Sequence, residues 1–349
     1  MTVHFEKQGQ VGVITLDRPK ALNAISKHMI EEIFAHLQAW QFDTTVSAIL
    51  IRSCRDDLFS AGGDVRSVYE MRDMPLDKKL VFFEKEYQMI HLLNTYPKPI
   101  VSLMNGITMG GGVGLGMHVA YPIAGEQMVF AMPETVIGLF PDVAGSAIIN
   151  SLPRAWQNYL GVFGQRLSTE GLVHFDLVYG VIPTGQWQAL QEKMFATHWQ
   201  GDTKAQMQSL LNTFVQPKVL SPIAEPVADF NCFDTDSYYE LMENIQSVAD
   251  DGLHEIQTLM QHLCPLSMVV TFEQLKLAQG FSVQQALEQD FRLLQQFLVL
   301  PEFYEGVRAM LVDKDKHPHW QYAHWQDIPY SLVQKMFYNK DVQALRLTP

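Results

Sequence analysis

Two kinds of residue cluster in this 349-residue chain have the chemical types and spacing to act on a ligand. The first is glycine turns. Gly110, Gly111, Gly112, Gly114 and Gly116 follow a strand-like run and precede a helix-like one, and the SAGGD segment at 60–64 sets Gly62 and Gly63 ahead of another helix. A glycine turn that opens a helix leaves bare backbone N–H groups for a ligand oxygen, although close helix–strand packing is an equally good use of such residues. The run has no GxGxxG register, since Met117 stands where the last glycine would be. No Lys-Ser or Lys-Thr follows it, so a dinucleotide fingerprint and a P-loop are both excluded. Two such turns in one domain can supply the two converging donors that acyl chemistry needs. The second kind is a pair of carboxylates, Glu134 and Asp142, eight residues apart in the almost wholly apolar FAMPETVIGLFPDVAGS. Apolar surroundings raise a carboxyl pKa and suit it to acid–base work near neutral pH. The plainer reading is that Glu134 starts a helical turn and Asp142 caps the next helix. Ser146 sits in AGSA, which is no GxSxG elbow, and His317 and His319 flank Pro318 in a charged stretch that reads as a solvated loop.

Several elements must position these groups. VGVITL (11–16) and AILIRS (48–53) read as strands, and Ser26 as the cap of a helix with Met29, Ile30, Ile33, Phe34 and Leu37 on one face. Leu80, Phe83, Tyr87 and Ile90 recur at helical period over 77–94. A strand (PIVSLMNG), the glycine turn with its helix, and strands near 121–124 and 128–131 follow. Repeated ββα units predict an α/β domain with helices packed on sheets. From about 186 the strand signal fades, and helices are predicted over 203–215, 237–248, 253–264, 266–279, 282–298 and 301–312. A connector rich in Pro and Asp lies at 216–235. The expected organisation is an α/β core over 1–205 that carries the candidate site and a mainly helical region over 206–349.

Composition excludes several functions. Hydrophobic residues make up 47% and charged residues 18%, which is globular and not disordered. A net charge of −13 repels nucleic acid and anionic membrane, so an anionic ligand needs a local cluster of basic groups. Three scattered cysteines, Cys54, Cys232 and Cys264, with no CxxC, point to free thiols in a reducing compartment. With no long apolar run and no signal-like start, the expected address is cytoplasmic.

The blocks LDRPKALNAI (16–25), LFSAGGDVR (58–66), KPIVSLMNGITMGGGVGLG (98–116) and MPETVIGLFPDVAGS (132–146) resemble, in order and spacing, the crotonase or enoyl-CoA hydratase/isomerase superfamily. ITMGGGVGL, FAMPETVIGLFPDV, CPLSMVVT (264–271) and EGVRAMLVDKDKHPHW (305–320) resemble its 3-hydroxyisobutyryl-CoA hydrolase branch. The resemblance implies a spiral of ββα turns followed by C-terminal helices. It implies an oxyanion hole from the amides of Gly63 and Gly111, catalytic roles for Glu134 and Asp142, and a substrate contact at Glu86, which otherwise reads as a solvated helix face. Ala144 and Ser146 stand where the branch usually has glycines. The hydratase glutamate at the end of the glycine run is Gly114 here, while Asp142 falls where hydratases carry glycine. This exchange favours hydrolysis of a short-chain acyl-CoA thioester, with 3-hydroxyisobutyryl-CoA of valine catabolism as the implied substrate. The alternatives are a hydratase or isomerase with an atypical acid–base pair, and a non-catalytic acyl-CoA binder. The only expected partners are the acyl-CoA substrate and, in a homo-oligomer, further copies of the chain. No cofactor or metal is implied, since coenzyme A belongs to the substrate. Lys20 or Arg66 is expected to help hold its phosphates.

Overall fold

The structure is a computed structural model that describes residues 2–218, 223–247 and 251–347. β1 (Val3–Gln8) and β2 (Val11–Leu16) form an antiparallel hairpin, and the helix α1 (Lys27–Phe42) starts at Ser26, whose hydroxyl accepts the Met29 N–H at 3.3 Å. The chain then makes repeated two-strand turns: β3 (Ala48–Ser53) with β4 (Leu58–Ser60), β5 (Ile100–Met104) with β6 (Ile107–Met109), and β7 (Tyr121–Ala124) with β8 (Val129–Ala131). The first strand of each turn joins one sheet and the second joins another. With β9 (Arg166–Ser168) and β10 (Gly180–Val181) this gives the orders β1-β2-β3-β5-β7-β10 and β4-β6-β8-β9. The helices α2 (Leu76–Asn94) and α3 (Gly111–Met117) close the first two turns, as the ββα reading expects.

The inner strands β2, β3 and β5 of the larger sheet are buried on both faces, which is why they read as continuous apolar runs. Val11, Val13, Ala48, Leu50, Val101 and Leu103 point to one face, and Ile14, Leu16, Ile49, Ile51, Ile100 and Met104 to the other. The first face is covered partly by α4 (Thr203–Leu211), through Met207, Leu210 and Leu211. The boundary expected near 205 therefore falls inside a helix that belongs to the spiral. The change of character comes at 216–235, where a 3₁₀ turn at Phe230–Phe233 is the sole helical element among the described residues, and 219–222 lie outside them.

Beyond this connector the chain is helical, as expected. α5 (Pro265–Leu277) has proline in its first turn, α6 (Val283–Phe297) opens with a Ser282–Gln285 capping box, and α7 (Pro301–Val307) runs into a π-turn at Arg308–Val312. This region has no separate core. Leu287, Phe291 and Leu294 of α6 join the same apolar cluster as Tyr87 and Ile90 of α2, with the Tyr87 and Phe291 rings edge to face at 6.3 Å. Among the described residues no helix is long and apolar enough to cross a membrane.

Candidate active site

The two glycine turns meet. Gly63 follows β4 and Gly111 is the first residue of α3, and a Cβ placed on Gly111 would lie 3.0 Å from the Gly63 nitrogen. Gly62 (φ 113°) and Gly110 (φ 49°) hold the backbone in conformations that L side chains rarely adopt. Neighbouring amides are engaged: Ala61 donates to the Leu22 carbonyl, Asp64 to Ile25 and Gly110 to Ala131. No protein group among the described residues accepts from the N–H of Gly63 or Gly111. Two free, adjacent donors at the edge of a cavity form a site for an oxygen that carries or gains negative charge.

That cavity has a volume of about 210 Å³. Its apolar walls include Val65, Phe82, Phe83, Ile137 and Leu139, and Leu311 beyond α7 contributes from the helical region. Glu86, Glu134 and Asp142 also line it. Glu86 comes from the middle of α2 and is fully buried, so its solvated-face reading is replaced by a place in the cavity wall. Glu134 opens a 3₁₀ turn (Glu134–Ile137), as its plainer reading expected. Asp142 does not cap a helix: the next helical segment starts at Gly145, no side chain caps it, and the Asp142 carboxylate instead accepts the Tyr87 hydroxyl at 2.8 Å. Buried Glu86 Oε1 and Glu134 Oε2 have no protein hydrogen-bond partner. Cβ atoms built on Gly110 and Gly111 would come within 2.8 Å of Glu134 Oε1 and 2.6 Å of Glu86 Oε1 respectively, so both carboxyls abut the glycine turns.

Three acids share this pocket, and none of its lining residues is basic. Burial, reinforced by the charge of Asp142, holds both Glu86 and Glu134 well above the usual carboxylate range. Asp142 is pushed up by burial to about 6, against the pull of the Tyr87 hydrogen bond. Such a cluster retains protons near neutral pH and can both accept and return one.

The position of Gly114 is closed. A Cβ there would lie 2.8 Å from both Ile90 Cδ1 and Val143 Cβ, so a second acid has no room at that position. Ala144 has φ 57° and Val143 φ 51°, a left-handed pair that accounts for a preference for glycine at 144. Neither Lys20 nor Arg66 lines the cavity. Both are exposed, and Arg66 sits 3.6 Å from Glu70 on its own helix. Tyr87, read from its spacing as core, touches Asp142. The polar groups that hold the 141–144 turn, His118, Gln274 and Asp290, were not singled out in the sequence. A signal existed for Asp290, which falls on the apolar face of α6 between Ala286 and Leu294.

A family model described as enoyl-CoA hydratase/isomerase matches residues 11–337. The chain is 34% identical to the mitochondrial 3-hydroxyisobutyryl-CoA hydrolase of Danio rerio, over 99% of this chain and 91% of that protein. It is 34% identical to the Homo sapiens protein of the same name, over 93% and 86%. A crystal structure of a carnitinyl-CoA dehydratase from Mycobacterium thermoresistibile superposes with a TM-score of 0.87 at 27% identity, covering 99% of this chain and 98% of that one. By the family model, near full-length relatives and the shared spiral of ββα turns, this chain belongs to the enoyl-CoA hydratase/isomerase, or crotonase, family.

Proposed function

We propose that the protein hydrolyses a short-chain acyl-CoA thioester, 3-hydroxyisobutyryl-CoA, to 3-hydroxyisobutyrate and CoA in valine catabolism. One observation carries the reading: Glu134 and Asp142 line the same cavity as the two free glycine amides, while the Gly114 position, packed against Ile90 and Val143, has no room for a second acid. The names of the relatives point the same way. The thioester oxygen sits between the N–H groups of Gly63 and Gly111, whose hold strengthens as the carbonyl carbon becomes tetrahedral and the oxygen anionic. Glu134 supplies the electron pair, either directly as nucleophile through a mixed anhydride or through a water that it deprotonates. Asp142 holds the substrate hydroxyl or that water, and Glu86 lines the acyl pocket. The C–S bond breaks, CoA leaves as thiol or thiolate, and water supplies the second oxygen of the acid. No resident cofactor enters this scheme.

The test follows thiol release with purified protein and two substrates. Thiol release from 3-hydroxyisobutyryl-CoA, with no hydration of crotonyl-CoA, is the expected result. Hydration of crotonyl-CoA without thiol release overturns the reading in favour of a hydratase, and tight binding of both esters without turnover overturns it in favour of a binding protein. Single turnover in ¹⁸O-water separates the two roles of Glu134, because a nucleophile collects label in its own carboxylate. Among the described residues no disulfide joins any of the three cysteines, which fits a reducing compartment, proposed here as the cytoplasm. The vertebrate relatives are named mitochondrial, and cell fractionation tells the two addresses apart.

A further inference from the structure

Asp142 lies at the start of a turn that its own sequence does not stabilise. Val143 and Ala144 both have positive φ, at 51° and 57°, and neither is glycine. A β-branched residue in the left-handed region is an outlier that surrounding structure must impose. The local bond, from the Gly145 N–H to the Asp142 carbonyl at 2.7 Å, closes the turn without fixing where it points. Apart from the Ala147 N–H, which donates to the Ala144 carbonyl at 3.1 Å, the other hydrogen bonds to the turn come from far away in the chain. His118 Nε2 lies 2.9 Å from the Val143 carbonyl, which makes it the donor to that oxygen. The Ala144 N–H donates to Asp290 Oδ2 at 2.8 Å, and Gln274 Nε2 donates both to Asp290 Oδ1 and to the Pro141 carbonyl, each at 2.9 Å. Asp290 and Gln274 are wholly buried and belong to α6 and α5 of the helical region. Asp290 does not line the cavity. It thus grips the turn at Ala144 directly and at Pro141 through Gln274, on both sides of Asp142.

Burial raises the Asp290 pKa well above the usual carboxylate range, and a polar group sunk this deep in an apolar core is costly unless its hydrogen bonds matter. We propose that Asp290 is a positioning residue for Asp142: with Gln274 it fixes the left-handed turn so that the Asp142 carboxylate faces the cavity within reach of the Tyr87 hydroxyl. The helical region thereby supplies part of the catalytic geometry as well as a wall. This rests on the reading that Asp142 acts in thioester hydrolysis.

A double-mutant cycle on thiol release from 3-hydroxyisobutyryl-CoA tests it, with Asp290→Leu, Asp142→Asn and the pair. Asp290→Leu is expected to lower kcat by about 100-fold with KM changed less than about threefold, because the turn is loosened but the pocket remains. In the Asp142→Asn background the same change is expected to cost less than about threefold, since the group it positions is already disabled. Asp290→Asn keeps a carbonyl acceptor for the Ala144 N–H and is expected to recover about tenfold of the lost kcat. Losses that multiply in the double mutant overturn the inference, because a merely structural residue acts independently of Asp142. A crippled Asp142→Asn beside a wild-type Asp290→Leu overturns it alone and leaves the proposed function standing. A fully active Asp142→Asn overturns the assigned role of Asp142 and the inference with it. If Asp290→Leu does not fold, Asp290→Asn and Gln274→Leu are run through the same cycle with the same criteria.

Discussion

The glycine side and the acid side of the cavity are built by different means. On the glycine side, Gly63 and Gly111 are presented by backbone alone: β4 and β6 are neighbours in one sheet, and the surrounding amides are engaged by Leu22, Ile25 and Ala131. On the acid side, Asp142 is oriented by side chains from α2, the end of α3, α5 and α6, spread over 204 positions from Tyr87 to Asp290. A backbone-built donor pair is set by sheet register and tolerates side-chain change around it. A carboxylate held by distant side chains can be loosened one contact at a time. The acid side should therefore yield graded variants, and the glycine side all-or-none ones.

The largest effect is expected from Glu134→Gln. It removes the Glu134 carboxylate at nearly constant shape, so kcat should fall by about 1,000-fold or more, about 4 kcal/mol of barrier, with substrate binding kept. A loss under about tenfold would remove Glu134 from the chemistry. Gly111→Ala sharpens the glycine side: its methyl would stand 3.0 Å from the Gly63 nitrogen and 2.6 Å from Glu86 Oε1, in the space that the proposed scheme gives to the thioester oxygen. Loss of one such donor costs about 2.7–4 kcal/mol, so an activity drop of at least about 100-fold is expected, with little change in melting temperature.

Stability should move the opposite way on the acid side. Asp142 has a folded value of about 6 against a usual 3.8, so the folded protein binds more protons than the unfolded chain between those values. Its contribution to stability is intact below the unfolded value and is lost as pH rises through about 6. Asp142→Asn is therefore expected to raise the melting temperature at pH 7, by an amount worth at most about 3 kcal/mol, and to flatten its fall between pH 4 and 7. Thermal melts across that range check it, and a variant less stable than wild type at pH 7 would deny the burial penalty. The smallest effect belongs to Tyr87→Phe. The hydroxyl lowers the Asp142 pKa, so its removal should raise it and move the acid limb of the kcat profile to higher pH, by less than about one unit. An unmoved limb would show that this bond does not tune the acid.

Much of the molecule was legible before any coordinates. Strand and helix positions follow from local periodicity. VGVITL alternates between two apolar faces, Ser26 and Ser282 cap as their types suggest, and the last strand ends at Val181 near where the strand signal fades. The glycine turns were readable because bare amides and positive φ depend on the residue itself. The boundary near 205 was misread because the helix that crosses it shows only a local pattern, while its membership in the spiral depends on Met207, Leu210 and Leu211 meeting a distant sheet face.

The sequence by itself determined the order of the elements, the two glycine turns and the presence of two acids in an apolar stretch, all properties of short segments whose φ, ψ and hydropathy are set locally. Residue pattern left Asp142 as a cap and Glu86 on a solvated face, and only the family resemblance pointed otherwise; tertiary structure decided that both line the cavity, and that Asp290 and Gln274 grip the turn from the far end of the chain. Those outcomes depend on which buried polar groups meet across more than a hundred residues. A buried hydrogen bond between a side chain and a remote backbone amide leaves no period in the sequence from which to read it.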